Sequence, residues 1–195
     1  MIEIPSKPSI PSLEHYFQYD RLVGNTFDPI KDDKLFLNFN YTNTIDKYFT
    51  NVYAKEELIN IHGAIANNAN PMIFGYGDEM HKDFKAIEDE DKNEYLENMK
   101  SFGYFQTDNY KRILKFIDSD NYYVHVIGHS LGLSDRLLLN TLFEHENCKT
   151  IEIHYHRFDG GDNYTELTMN MSRHFKDKAA MRKKVVHKNE SRPMD

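Results

Sequence analysis

One cysteine, Cys148, stands in 195 residues, so no disulfide can form within the chain. Such sparing use of cysteine points to a reducing compartment. Long apolar runs are missing as well. No stretch approaches the ~18 residues of a membrane helix, and the opening MIEIPSKPSIPSLEHYF lacks the apolar centre of a secretory signal. Cytoplasm is the compartment expected, with no membrane partner. Apolar residues are themselves scarce, at 39% with 13 tyrosines counted and only 9 glycines left out. Exchanging those two sets lowers the share further below the ~45–50% usual for a globular domain. A polar, tyrosine-rich surface explains this, and so does a missing piece or partner; composition favours the first. Positive charge is short too. With 24 Lys and Arg against 31 Asp and Glu, the net charge is −7, which argues against nucleic acid as a partner.

The length suits one domain. Residues 1–34 read as an extended lead-in, with Pro5, Pro8 and Pro11 near its start. Residues 35–186 hold the patterned part and 187–195 a tail. Five runs read as strands: LFLNFN (35–40), LINIH (58–62), PMIFGY (71–76), YYVHVIG (122–128) and TIEIHY (150–155). Helical stripes lie between several of them. DNYKRILKFID sets Tyr110, Ile113, Leu114 and Ile117 on one face, and Leu133–Phe143 is a second helix. A third begins near Asn163, with Glu166 three residues on as a capping box. Strands alternating with helices predict an α/β fold with a mostly parallel sheet. Residues 78–107 form an acidic insertion: nine acids face four lysines over 78–100, as expected of a solvated helical face. The segment from Arg173 to Arg192 carries eight basic residues and two acids and reads as a solvated, fraying tail.

Open α/β sheets bind ligands at the carboxyl ends of their strands, and those ends are polar here. The first runs into Asn38, Asn40, Tyr41, Thr42 and Asn43. The second ends in His62-Gly63, the third in Gly75-Tyr76-Gly77-Asp78, the fourth in Gly128-His129-Ser130. Each has a plain structural role available, as a helix cap, a buried histidine or a turn. Together, at corresponding ends, they favour a site. His154 and His156 lie two apart on a strand; a metal pair needs a third ligand, the sequence offers no convincing one, and two surface histidines with no metal are expected.

Gly128-His129-Ser130-Leu131-Gly132 matches G-x-S-x-G, between an apolar run and a leucine-rich helix. A hydrolase presents a nucleophilic serine at such a turn. His62-Gly63-Ala64 could supply an oxyanion loop, and Asp159 or Asp162, then His174 or His187, follow in triad order. Only one good strand follows Ser130, however, and the reading leaves NFNYT and GYGD without a role. A nucleotide site uses all of these features. Asn40 can orient a water against a ribose, with His62 as the base. The glycine-flanked loop at Gly128 and Ser130 lets backbone approach a sugar or phosphate. Asp135, beside Ser134 as N-cap, would repel a pyrophosphate and suit ribose hydroxyls.

NFNYT, IHG, IFGYGDE, VIGHSLGLSDRLLL and MSRHFKDKAAMRKKVV together resemble the bacterial abortive-infection AbiH family of phage-defence proteins, from about Leu35 to Val186. That family is distantly similar to sirtuin-type domains, which implies a Rossmann-like three-layer fold binding NAD. In that comparison Asn40 matches the asparagine of an Asn-Ile-Asp or Asn-Tyr-Asp motif and His62 the histidine of a His-Gly motif. Gly128, Ser130 and Leu131 match a Gly-Thr-Ser-Leu loop. Sirtuin-like defence proteins cleave NAD, which implies an NAD glycohydrolase. Thr42 stands where those motifs carry aspartate. The family's opening strand and Gly-Asn-Gly-Phe-Asp turn are echoed only by LVGNTFD at 22–28, so the first strand and glycine-rich turn read as missing.

These readings set the expectations. The catalytic pair is Asn40 and His62. NAD, as substrate or ligand, is contacted by Tyr41, Thr42, Gly75, Gly77, Gly128, Ser130 and Asp135. The partner is a small nucleotide, with a homo-oligomer or a second chain supplying the missing unit. Without that unit the chain should cleave NAD poorly. The alternatives are a serine hydrolase built on Ser130 and a non-catalytic nucleotide-sensing or assembly module.

Overall fold

The computed structural model describes residues 33–47, 56–76 and 79–194. Most of the lead-in, the echo at 22–28, Gly77 and Asp78 lie outside the described residues.

Two short parallel strand pairs organise the chain. β1 (Lys34–Asn38) runs beside β2 (Glu56–Asn60), in register from Lys34 opposite Glu56 to Asn38 opposite Asn60. Two short helices follow, α1 (Phe84–Asp89) and α2 (Lys100–Gly103), and then the longer α3 (Asn109–Ser119). β3 (Tyr122–Ile127) leads through a 3-10 turn (Leu133–Asp135) and α4 (Arg136–Glu144) to β4 (Cys148–His154). β3 and β4 are parallel, with Ile127 opposite His154, so this stretch is a β-α-β unit whose helix makes the crossover that parallel strands require. A two-residue hairpin, β5 (Arg157–Phe158) and β6 (Gly161–Asp162), precedes α5 (Tyr164–Ser172) and α6 (Lys178–Lys184). The fold is therefore α/β with parallel strands, which among the described residues form two separate pairs.

The core follows the apolar stripes. Ile113 and Ile117 of α3, Leu138, Leu139 and Phe143 of α4, Ile151 and Ile153 of β4, and Met171 of α5 are all buried. Together with Phe175 they form one cluster, against which Tyr110 and Leu114 lie partly buried. Burying a Leu, Ile or Phe side chain contributes about 1.5–3 kcal/mol, so this cluster dominates stability. Strand side chains alternate between faces. Ile151 and Ile153 face the core, while Glu152 and His154 point to the other side and are buried there as well.

Several expectations are corrected. PMIFGY is no strand: Tyr76 makes one isolated bridge to Met99. Pro71 has no N–H to give a ladder, and Gly75 takes φ +136°, bringing its backbone so close to Asn98 that a Cβ would lie 2.0 Å from the carbonyl oxygen. The helix after Asn163 forms without the capping box. Asn163 Oδ1 accepts instead from the His156 N–H, and Asp162 Oδ1 takes the Tyr164 N–H. Ser134 does not cap α4; its hydroxyl donates to Asp135, which occupies the N-cap position.

The acidic insertion is exposed over most of its length, but three residues toward its far end are not. Lys100, Ser101 and Tyr104 are buried. Nor does the basic tail fray. Val185 bridges to Ile151, the Val186 N–H donates to the Ile151 carbonyl, Pro193 bridges to Tyr155, and Ser191 is buried. Its charge misled, because Arg192 folds inward to meet Glu152. No helix of the described residues is long and apolar enough to cross a membrane.

Candidate functional site

The carboxyl ends of β2 and β3 deliver His62 and His129 to one carboxylate. Asp135, at the start of α4, is 7% exposed. Its Oδ1 lies 2.9 Å from Lys100 Nζ and 3.0 Å from His62 Nε2. His129 Nε2 approaches Oδ2 at 3.6 Å. Burial works to raise the Asp135 pKa. The hydrogen bonds from His129, His62 and Lys100 outweigh it and hold the carboxyl far below the usual range.

Chain geometry explains how these groups meet. The Ile61 N–H donates to the Asn38 carbonyl, so the β1–β2 pairing continues to the turn where His62 stands. Gly63 follows at φ +81°, and a Cβ there would sit 2.1 Å from the Pro71 carbonyl oxygen; glycine lets the two backbones cross. His62 is 3% exposed, with Nδ1 3.2 Å from the Phe39 carbonyl. Both ring nitrogens thus face oxygen atoms. His129 differs. Its Nδ1 accepts the Leu131 N–H at 3.0 Å, which leaves the Nε2 proton for Asp135. Phe39 packs between the two rings, 5.4 Å from His62 and 4.3 Å from His129.

Around this centre lie the other sequence candidates. Asn38 ties the two strand ends together: its Nδ2 donates to Asn60 Oδ1 at 2.7 Å, and its Oδ1 accepts from both nitrogens of Asn40. Asn40 is exposed with its amide oriented by that contact. Tyr41 donates to the Ile73 carbonyl and packs 5.1 Å from the exposed ring of Phe74. Thr42 shares a hydrogen bond with Thr44 at the surface. Gly75 is spent on the Asn98 crossing rather than on an open approach. Gly128 is exposed at φ +67°, and a Cβ there would meet only Met194 Cε, at 3.8 Å. Ser130 is exposed, and its carbonyl accepts from Asn170.

Sequence reasoning missed Lys100, His129, Phe39 and Tyr104, whose hydroxyl lies 3.5 Å from His62 Nε2. His129 lay inside the G-x-S-x-G match without a role. Lys100 and Tyr104 sat in a segment read as solvated, although MKSFGY breaks the acidic pattern just there. Lys100 also removes the expected conflict with phosphate: a carboxylate neutralised at 2.9 Å no longer presents a free negative charge to a ligand.

The triad geometry is not assembled. The non-glycine residue with positive φ in the loop is Leu131, at +56°, and not Ser130. His174 Nε2 donates to the Leu131 carbonyl at 2.9 Å, and Asp162 pairs with Lys188. Cys148 is no substitute nucleophile, since burial pushes its thiol up to about 11.

A second buried cluster lies on β3 and β4. His125 stands opposite Glu152 across the pair, and His154 follows two residues along. His125 Nδ1 is 3.1 Å from His154 Nε2 and 3.5 Å from Glu152 Oε2. Arg192 grips Glu152 through Nε at 3.0 Å and Nη2 at 2.8 Å. His154 is 2% exposed and is not the surface histidine expected; His156 is exposed, as expected.

Comparison with known proteins agrees with the motifs. No curated protein and no solved structure matches the chain. The family model described as "Bacteriophage abortive infection AbiH" matches residues 12–156. That span begins before NFNYT and ends before MSRHFKDKAAMRKKVV, and it covers Asn40, His62, Lys100, His129 and Asp135. Since it takes in well over half of the sequence, the chain belongs to the bacteriophage abortive infection AbiH family.

Proposed function

We propose that the chain serves phage defence through a nucleotide site at the Asp135 edge, where NAD is bound and its nicotinamide–ribose bond hydrolysed. The two parallel pairs are then parts of one Rossmann-like sheet. One observation carries this reading: the ends of β2 and β3 meet a single buried carboxylate paired with Lys100, with Phe39 past the end of β1 packed on both histidines, beside an exposed glycine-flanked loop. Ligands of α/β sheets bind at such an edge.

The chemistry divides among the residues as follows. Asn40, its amide set by Asn38, positions water and ribose. The exposed Phe74 ring beside Tyr41 offers a stacking face to a base or to nicotinamide, worth about 1–3 kcal/mol per ring. Gly128 and Ser130 admit the sugar and phosphates. As the bond from ribose C1′ to the nicotinamide nitrogen breaks, its electron pair leaves with nicotinamide. Water oxygen bonds to C1′, and its proton passes to His62. For that, His62 Nε2 must turn from Asp135 with its lone pair bare, and Lys100 then keeps the carboxylate balanced. Lys100 is therefore a positioning residue.

Thermal shift with NAD and chromatographic detection of nicotinamide test this reading. NAD should raise the melting temperature, and His62→Ala and Asn40→Ala should abolish release while keeping the fold. No shift at millimolar NAD and no release, even after the opening strand and glycine-rich turn of a full-length relative are fused ahead of Leu35, overturns it. Fluorophosphonate labelling lost in Ser130→Ala would instead install a serine hydrolase.

A further inference from the structure

We infer that His125, His154 and Glu152 form a binding site for one divalent transition cation of the zinc type, separate from the Asp135 cluster. The three donors come from two neighbouring strands. Parallel register sets His125 opposite Glu152, and the two-residue repeat of a strand brings His154 to the same face. All three are nearly withdrawn from water, with side chains 10%, 0% and 11% exposed in the order His125, His154, Glu152.

The geometry suits a metal. Nδ1 of His125, Nε2 of His154 and Oε2 of Glu152 mark a triangle with sides of 3.1, 3.5 and 3.9 Å. Metal–nitrogen and metal–oxygen bonds of about 2.0–2.2 Å in a tetrahedron put neighbouring ligand atoms about 3.3–3.6 Å apart. Two imidazoles and a carboxylate are also the ligand set of zinc sites that keep a fourth position open. Two ring nitrogens facing each other at 3.1 Å can share only one proton, so one of them offers a lone pair toward its neighbour.

Arg192 does not close the site. Its backbone N–H and Nε both donate to Glu152 Oε1, and Nη2 alone reaches Oε2. Oε2 keeps a second lone pair for the triangle. The guanidinium then acts as the outer partner that fixes a ligating carboxylate. The metal would join β3, β4 and the C-terminal segment.

The test uses tag-free, chelator-treated protein and Co2+ as the spectroscopic probe, with Zn2+ as competitor. One equivalent of Co2+ should give visible bands of tetrahedral intensity, erased by Zn2+, and Zn2+ should raise the melting temperature. His125→Gln and His154→Gln should each lose the bands. Arg192→Met should retain them with affinity weakened about 10–100-fold. His156→Gln, on the exposed neighbour, should bind as the parent does. Circular dichroism verifies that each variant is folded. Absence of stoichiometric bands in the parent protein overturns the inference without any variant. So does equal binding by folded His125→Gln and His154→Gln, which would assign the metal to surface histidines.

Discussion

Asp135 and Glu152 are built alike and behave differently. Each is a buried carboxylate held by one basic side chain and approached by two histidines. Around Asp135, each histidine turns an Nε2 toward the carboxylate, and their Nδ1 atoms are engaged by backbone. That cluster sits where strand ends meet an exposed loop. Around Glu152 the histidines face each other. Burial works to raise that carboxyl, and the Arg192 bond, with the charges of His154, Arg192 and His125, outweighs it and holds it below its usual range. The same residue types therefore make a charge-balanced edge in one place and a set of convergent lone pairs in the other. Which nitrogen each ring presents decides the difference.

The largest effect should separate the two by stability. Asp135→Asn leaves Lys100 buried without its counter-charge, and removing one partner of a buried pair costs about 3–5 kcal/mol. Chemical denaturation measures it. Adding Lys100→Met should recover part of the loss, whereas simple additivity of the two changes would mean the pair is not coupled. Glu152→Gln should cost less, about 1–3 kcal/mol, because Arg192 at 20% exposure can turn toward water. Equal losses at the two sites would remove the contrast.

His174 sharpens it with pH. This histidine is fully buried, and its Nδ1 has no hydrogen-bond partner among the described residues. Burial pushes its pKa below the ordinary value, the Leu131 carbonyl opposing only in part. In the unfolded chain the ring takes up a proton near pH ~6.5, where the folded protein still refuses it. Its contribution is complete above that pH and is lost as pH falls toward the folded value. Melting temperature should fall on acidification from about pH 7 to about 5, and His174→Gln should flatten that slope; an unchanged slope assigns it elsewhere. The smallest effect belongs to Ser130→Ala. An exposed hydroxyl beside the first cluster but outside its bonds should shift stability by less than about 0.5 kcal/mol.

Much of this molecule could be read from patterns that need only neighbours in sequence. Period-two runs mark β1 to β4, and the Ile113–Ile117 stripe marks α3, because a strand or helix face is fixed by local geometry. The same logic placed polar residues at the strand ends, Asn40 and His62 among them. It failed where composition stood in for contact. A lysine at the end of an acidic run reads as solvated, yet Lys100 is buried on Asp135, 35 residues away in sequence. A basic tail reads as loose, yet Arg192 closes on Glu152 across 40 residues.

The sequence by itself determined most of the elements, the family and the polar strand ends, since these rest on short-range periodicity and on motifs whose residues stand side by side. Tertiary structure alone decided the pairing of charges. Parallel register chose His125 as the neighbour of Glu152, and the return of the 100–104 segment brought Lys100 to Asp135. A buried charge is tolerated only where a partner meets it at about 3 Å, and no spacing along the chain records which distant residue that partner will be.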